Sequence, residues 1–124
     1  MNKLELIKTI EELELDINDF YVLSSGALVL RELYDNANDL DIAVNTKGLE
    51  QLKKKYNLTP KGNNWYYVND KVECVLDTIE PGKIEKIDKY NVENINKYYE
   101  YLKSSKREKD KIKRKIVEDY LKTI

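Results

Sequence analysis

No histidine occurs anywhere in the chain's 124 residues, and cysteine, tryptophan and phenylalanine occur once each. Without imidazole there is no Ser/His/Asp triad, no histidine base and none of the usual zinc ligand sets. Acid–base or metal chemistry must therefore come from carboxylates, lysine or tyrosine. The lone Cys74 cannot close an internal disulfide, which fits a reducing cytoplasm, and on a strand it reads as a small apolar side chain. No apolar run approaches membrane length, and the start Met1-Asn2-Lys3-Leu4-Glu5 lacks the apolar stretch of a secretory leader. The two prolines and four glycines leave no room for a long flexible linker.

With 41% hydrophobic and 36% charged residues, the composition is that of a globular chain able to form one core, read as a single domain over residues 1–124. The net charge of −1 hides an asymmetry: residues 103–124 carry nine Lys/Arg against four Asp/Glu, so the rest is acidic. A basic end on an acidic body suits phosphate-bearing partners, and it equally suits a solvated helix surface.

Taken in order, Asn2 and Glu5 have capping-box spacing ahead of a helix over about 3–14 with Leu6, Ile7, Ile10 and Leu13 at helical spacing. Phe20–Leu23 reads as a short buried strand, Ala27–Tyr34 as a helix and Asp35–Asn38 as loop. A strand over Asp39–Asn45 follows, then a helix capped by Thr46. Pro60-Lys61-Gly62-Asn63 reads as a turn. Trp65–Val68 and Lys71–Thr78 read as a hairpin joined at Asn69-Asp70, in which Trp65, Tyr66 and Tyr67 serve packing more readily than base stacking. A connector leads past Pro81-Gly82 to Tyr90. A helix over about Val92–Lys103 and a second one, opened by a Ser105/Glu108 capping box and running to about Lys122, finish the chain. The order α-β-α-β-α-β-β-α-α predicts an α+β fold with a mixed sheet covered by helices, the core over about 18–80 and the C-terminal helices over about 91–123.

The chemistry concentrates in Ser24–Asn45. Residues i and i+2 of a strand share a face, so Asp39 and Asp41 stand on one side, about 7 Å apart at Cα, while Leu40, Ile42 and Val44 face the core. Such a pair can converge on a hard divalent cation, or can be a solvated edge. A third carboxylate on a neighbouring strand favours the cation, and alternation offers Glu73 first and Asp77 second. Three acidic groups on one face repel unless a cation lies among them. Ser24-Ser25-Gly26 ahead of a helix offers free N–H groups and hydroxyls to phosphate, although a turn or cap selects the same residues.

Ser25-Gly26-Ala27-Leu28 followed by Asp39-Leu40-Asp41-Ile42 resembles the signature of the nucleotidyltransferase superfamily: a small-residue turn, a helix, then an Asp-x-Asp strand. The pattern is similar to that of the minimal nucleotidyltransferase-like proteins of bacterial toxin–antitoxin and abortive-infection systems. Arg107-Glu108-Lys109-Asp110 is similar to the Arg-x-Lys-Asp motif that many of them carry. Two departures stand out: Ser25-Gly26 reverses the Gly-Ser order, and Lys113 stands where an Asp often follows the Lys-Asp pair. The resemblance implies a palm-like αβαβ core, a nucleoside triphosphate donor, Mg2+ or Mn2+, and transfer of a nucleoside monophosphate to a tRNA end, a protein hydroxyl or a small molecule. It implies donor-phosphate contacts from Ser24, Ser25 and Gly26, metal at Asp39, Asp41 and Glu73, and approach of Arg107, Lys109 and Asp110 to the nucleotide. Two rival readings are an inactive nucleotidyltransferase-like module acting through a protein partner and an RNA binder using Lys106–Lys115.

Overall fold

The computed structural model describes residues 1–124. Thirteen elements alternate along it: α1 (Lys3–Leu13), β1 (Phe20–Val22), α2 (Ser24–Leu30), β2 (Leu40–Val44), α3 (Thr46–Lys55), β3 (Thr59–Gly62), β4 (Trp65–Tyr67), β5 (Val72–Leu76), a 3-10 turn (Pro81–Lys83), β6 (Ile84–Ile87), β7 (Tyr90–Glu93), α4 (Ile95–Ser104) and α5 (Glu108–Leu121). The fold is α+β, with the last two helices at the C-terminal end. No helix is long and apolar enough to cross a membrane.

The strands form one mixed sheet in the order β3-β4-β5-β2-β1-β7-β6. β2 pairs antiparallel with β1 and parallel with β5, and β1 pairs parallel with β7. Each parallel pair is reached through a longer excursion of chain, as that geometry requires. Alternation sorts the central strands. Phe20, Val22, Leu40, Ile42, Val44, Val72, Cys74 and Val92 join Leu6, Ile10, Leu13, Leu49 and Leu52 in one buried cluster. Tyr21, Asp41, Ala43, Glu73 and Val75 alternate with them and so belong to the opposite side. Burial pushes the Cys74 thiol up to about 11, in keeping with an inert core side chain.

α2 lies between two cores. Ala27, Val29 and Leu30 face the sheet cluster, while Leu28 packs with Ile95, Tyr98, Leu102 and Val117 of the C-terminal helices. Gly26 is buried with them, since a Cβ there would stand 3.0 Å from Val22 Cγ1. Arg31 then stitches α2 to the β6–β7 hairpin, donating to Glu85 Oε1 at 2.7 Å and to the Glu93 carbonyl at 3.1 Å.

Several local expectations hold and several shift. The Asn2/Glu5 capping box is complete, and Glu14 ends α1 in a left-handed conformation. The expected hairpin is present, with Trp65 opposite Val75 and Tyr67 opposite Glu73. Helix α2 starts at Ser24 rather than Ala27 and stops at Leu30 rather than Tyr34, where Glu32 turns left-handed (φ 63°) and Leu33 N–H reaches back to Leu28 O at 2.9 Å. The cap of α3 is Asn45, whose side chain accepts from Gly48 N at 2.8 Å; Thr46 is already in the helix. Pro60–Gly62 is strand, and the turn falls one step later at Asn63-Asn64, both with positive φ. The connector before Tyr90 holds a hairpin, β6–β7, which takes Val92 away from α4. The Ser105/Glu108 box does not form. Ser105 ends α4, and its hydroxyl donates to Asp110 instead.

Candidate functional site

The antiparallel β1–β2 pair brings the end of one strand beside the start of the other, and Leu23 N–H donates to Asp41 O at 2.9 Å. That bond sets the Ser24-Ser25 turn next to the Asp39–Asp41 segment. Parallel pairing then sets Glu73 opposite Asp41 on β5. The joint of α4 and α5 closes the remaining side. The result is a polar cleft of about 470 Å³ whose lining includes Ser24, Ser25, Asp39, Asp41, Lys109 and Lys113.

Asp41 is half-buried and Asp39 exposed. Burial, then the neighbouring Glu73, then Asp39 push the Asp41 carboxyl above its ordinary value, while Lys61 and Lys109 pull against them. Glu73 is not left alone: Lys61 of β3 bonds to it while lying over the rings of Tyr67 (5.2 Å) and Trp65 (5.9 Å). With Lys61 holding Glu73 in the adjoining hollow, no three of these carboxylates enclose a common point as the side chains stand. The donor set suits a hard cation nonetheless. It is all carboxylate oxygen, from Asp39 just before β2, Asp41 on β2 and Glu73 on the adjacent β5, and Asp41 bears a repulsion that such an ion would relieve.

Asp77, the second choice for the third carboxylate, is not at the cleft. It lies four residues beyond Glu73, just past the end of β5, about 13 Å away by strand rise. There it accepts from Tyr21 Oη at 3.2 Å and Lys83 Nζ at 3.1 Å. Burial pushes its carboxyl up, and the hydrogen bonds from Lys83, Thr78 N–H and Tyr21 more than offset that, leaving it below its ordinary value.

The small-residue turn differs from expectation in detail. Ser24 takes a left-handed conformation (φ 54°), sparsely populated for a residue with a side chain. Its N–H donates to Glu93 Oε1 at 3.0 Å. Burial pushes the Glu93 carboxyl up, and the bond from Ser24 and the charges of Arg31 and Lys97 oppose it. Ser24 and Ser25 line the cleft; Gly26 does not, because its Cα packs on Val22.

The Arg107-x-Lys109-Asp110 segment splits by role. Arg107 Nε and Nη2 reach Asp110 Oδ2 and Oδ1 at 2.8 and 3.2 Å, and Nη2 also reaches Tyr101 Oη at 3.0 Å. Asp110 is 1% exposed and also accepts from Ser105 Oγ at 2.6 Å. Burial raises its carboxyl, and these bonds more than offset that. Arg107 and Asp110 therefore lock the α4–α5 joint, with the Arg107 side chain lining the cleft beside them. Lys109 is exposed and faces the acidic wall across the cleft, where its charge acts on Asp41.

Sequence reasoning passed over Lys113 as a site residue. It is 8% exposed, and its ammonium donates to Ser25 Oγ at 2.6 Å. The available signal was helical: Asp110, Lys113 and Val117 recur at i, i+3 and i+7, the face that points inward. Glu93 went unnoticed because β7 itself did. The other basic residues of α5 are mostly satisfied within the helix, with Lys111 on Glu108, Arg114 on Glu118 and Lys115 on Asp119. This leaves little free charge for a phosphate backbone.

No protein-family model, curated protein or solved structure matches the chain. The functional reading thus rests on the cleft and on the resemblance of its two motifs.

Proposed function

We propose that the protein is a nucleotidyltransferase-like enzyme that moves a nucleoside monophosphate from a triphosphate, with Mg2+ or Mn2+, to an acceptor hydroxyl on a tRNA, a protein or a small molecule. One observation supports it above the others. Asp39 and Asp41 line a cleft shared with the Ser24-Ser25 turn and the free Lys109, and Glu73 stands in register opposite Asp41 from the adjoining hollow. Asp39, Asp41 and Glu73 would hold the metal, which when bound supplies charge neutralisation at the triphosphate. Ser25 and Lys109 would meet donor phosphates across the cleft from that wall. Left-handed Ser24, its N–H held by Glu93, opens α2, and the next residue, Ser25, lines the cleft. An acceptor hydroxyl entering beside this wall would lose its proton to one of its carboxylates.

The reading also accounts for the basic α5. Its Lys109 and Lys113, which line the cleft, answer the carboxylates of β2 and β5, while its other cations pair along the helix. A toxin–antitoxin or phage-defence setting follows from the resemblance alone.

A second reading, an inactive binding module acting through a protein partner, is favoured by a different observation: Lys61 already neutralises Glu73. One experiment separates the two. The protein is incubated with each α-labelled nucleoside triphosphate, Mg2+ or Mn2+, and total tRNA or cell extract. Transfer of label, lost in Asp39→Asn and Asp41→Asn variants that keep their thermal midpoint or raise it, is the expected outcome. Undiminished transfer in both variants refutes the metal assignment, and no transfer to any acceptor favours the binding module.

A further inference from the structure

Ser25 and Lys113, 88 positions apart in the chain, meet at one wall of the cleft. Lysine is seldom buried without a carboxylate partner, yet the one hydrogen bond of Lys113 goes to the neutral Ser25 hydroxyl at 2.6 Å. Its ammonium also lies over the Tyr34 ring, 5.7 Å from the ring centre, within cation–π reach. A hydroxyl within hydrogen-bond reach of an amine, with the amine held by a third group, is the arrangement of a serine nucleophile with a lysine base.

We propose that Ser25 is a nucleophile activated by Lys113, and that the chain transfers a phosphoryl group from a nucleoside triphosphate onto its own Ser25. The substrate class rests on the nucleotide reading above. In the step, a bond forms between Ser25 Oγ and the terminal phosphorus. The bond from that phosphorus to the bridging oxygen breaks, and its electron pair leaves with the nucleoside diphosphate. The Ser25 proton passes to the neutral amine of Lys113. The resulting ammonium then stands beside a phosphoserine, so the product carries its own counter-ion.

The surroundings of Lys113 support the base role. Burial acts first to hold its amine below the ordinary lysine value, and Lys109 and Arg107 act in the same direction, while Asp110 and Asp41 oppose them. The neutral form is thereby more accessible than in a surface lysine. A phosphoryl group on Ser25 would fill the turn that receives donor phosphates, so self-modification would also switch off transfer to other acceptors.

The test is to incubate the full chain with magnesium and ATP, GTP, CTP or UTP over a pH series, then to map Ser25 by mass spectrometry. In parallel, nucleotide-free protein is exposed to a fluorophosphonate. Phosphoserine at Ser25 is expected, forming faster as pH rises. Lys113→Met and Lys113→Arg should both slow it by about a hundredfold, the range for loss of a general base. Arginine keeps the charge but cannot take the proton, so an undiminished rate in Lys113→Arg overturns the base role. Unmodified Ser25 with all four triphosphates overturns the proposal. Phosphonate labelling then separates the causes: labelled Ser25 means the triphosphate reading failed, and unlabelled Ser25 means the dyad failed.

Discussion

Replacing Asp41 by asparagine is expected to abolish nucleotide transfer and also to stabilise the fold in metal-free buffer at neutral pH. Asp41 faces Glu73 directly across a parallel pair, and strand neighbours lie about 5 Å apart. Two like charges at that distance repel by roughly 3 kcal/mol at an effective dielectric constant near 20. Water over the half-exposed pair and the Lys61 bond on Glu73 reduce this to about 1 kcal/mol. Asparagine keeps the shape and removes the repulsion. The pH dependence has a definite sign. Burial, Glu73 and Asp39 raise the Asp41 carboxyl above its ordinary value, so its contribution to stability is full below that value and is lost as pH climbs through the raised one. The asparagine variant should therefore melt higher than the parent at pH 7, by about 3–6 °C for roughly 1 kcal/mol in a domain of this size. The gap should close as the pH falls below the carboxylate range. Magnesium should reverse the order. A ligand at a hundredfold excess over its Kd adds about 2.7 kcal/mol to the native state that binds it, and the variant lacks a ligand oxygen charge. Thermal melts in chelator and in magnesium, at neutral and acid pH, read all of this. A variant that melts lower than the parent in chelator at pH 7, or gains as much from magnesium, refutes the reasoning.

Asp77→Asn should leave nucleotide transfer within about threefold of the parent, because Asp77 is held by Tyr21 and Lys83 away from the cleft; its exposed ion pair is worth at most about 1 kcal/mol. Arg107→Ala should destabilise by about 2–3 kcal/mol in denaturant unfolding, since it strips the main partner from a buried Asp110. Gly48→Ala should destabilise by about 1–3 kcal/mol rather than give the usual helix gain of about 1 kcal/mol. A Cβ there would meet the Asp19 carbonyl oxygen at 2.6 Å and Val44 Cβ at 3.1 Å, and a variant more stable than the parent would contradict that packing. Asn2→Ala should cost about 1 kcal/mol through loss of the complete capping box.

The elements with strong periodicity were legible. The α1 stripe of Leu6, Ile10 and Leu13, the Asp39–Asn45 alternation and the β4–β5 hairpin all carry signals longer than their own turns. The β6–β7 hairpin did not. Its strands are four residues each, Ile84-Glu85-Lys86-Ile87 lacks clean alternation, and Val92 stands three residues before Ile95, a helical spacing. Its turn is marked only by Asp88 in a left-handed conformation, a state aspartate tolerates without advertising it. Caps were misplaced where two candidates adjoin, as with Asn45 and Thr46, because either side chain satisfies the same free N–H groups. In the cleft, Asp39, Asp41 and Ser25 could be picked from the sequence because neighbours in a strand or turn stay neighbours in space. Lys113, Glu93 and Lys61 reach it through pairings that local pattern does not encode. The basic run of α5 reads as one solvated surface until α2 shows which of its faces is covered.

The cleft also has an order of assembly. Its contacts join residue 22 to 92 and residue 25 to 113, and closing such distant loops costs entropy before any contact returns it. Residues 20–76 can pair β1, β2 and β5 without the later helices, which sets Asp41 against Glu73 while Ser25 still lacks Lys113. Between the making of β5 and that of α5 a growing chain thus carries its acidic wall uncovered, and the cationic wall arrives only with α5. Chemistry that needs both walls is withheld from every copy that stops short of α5.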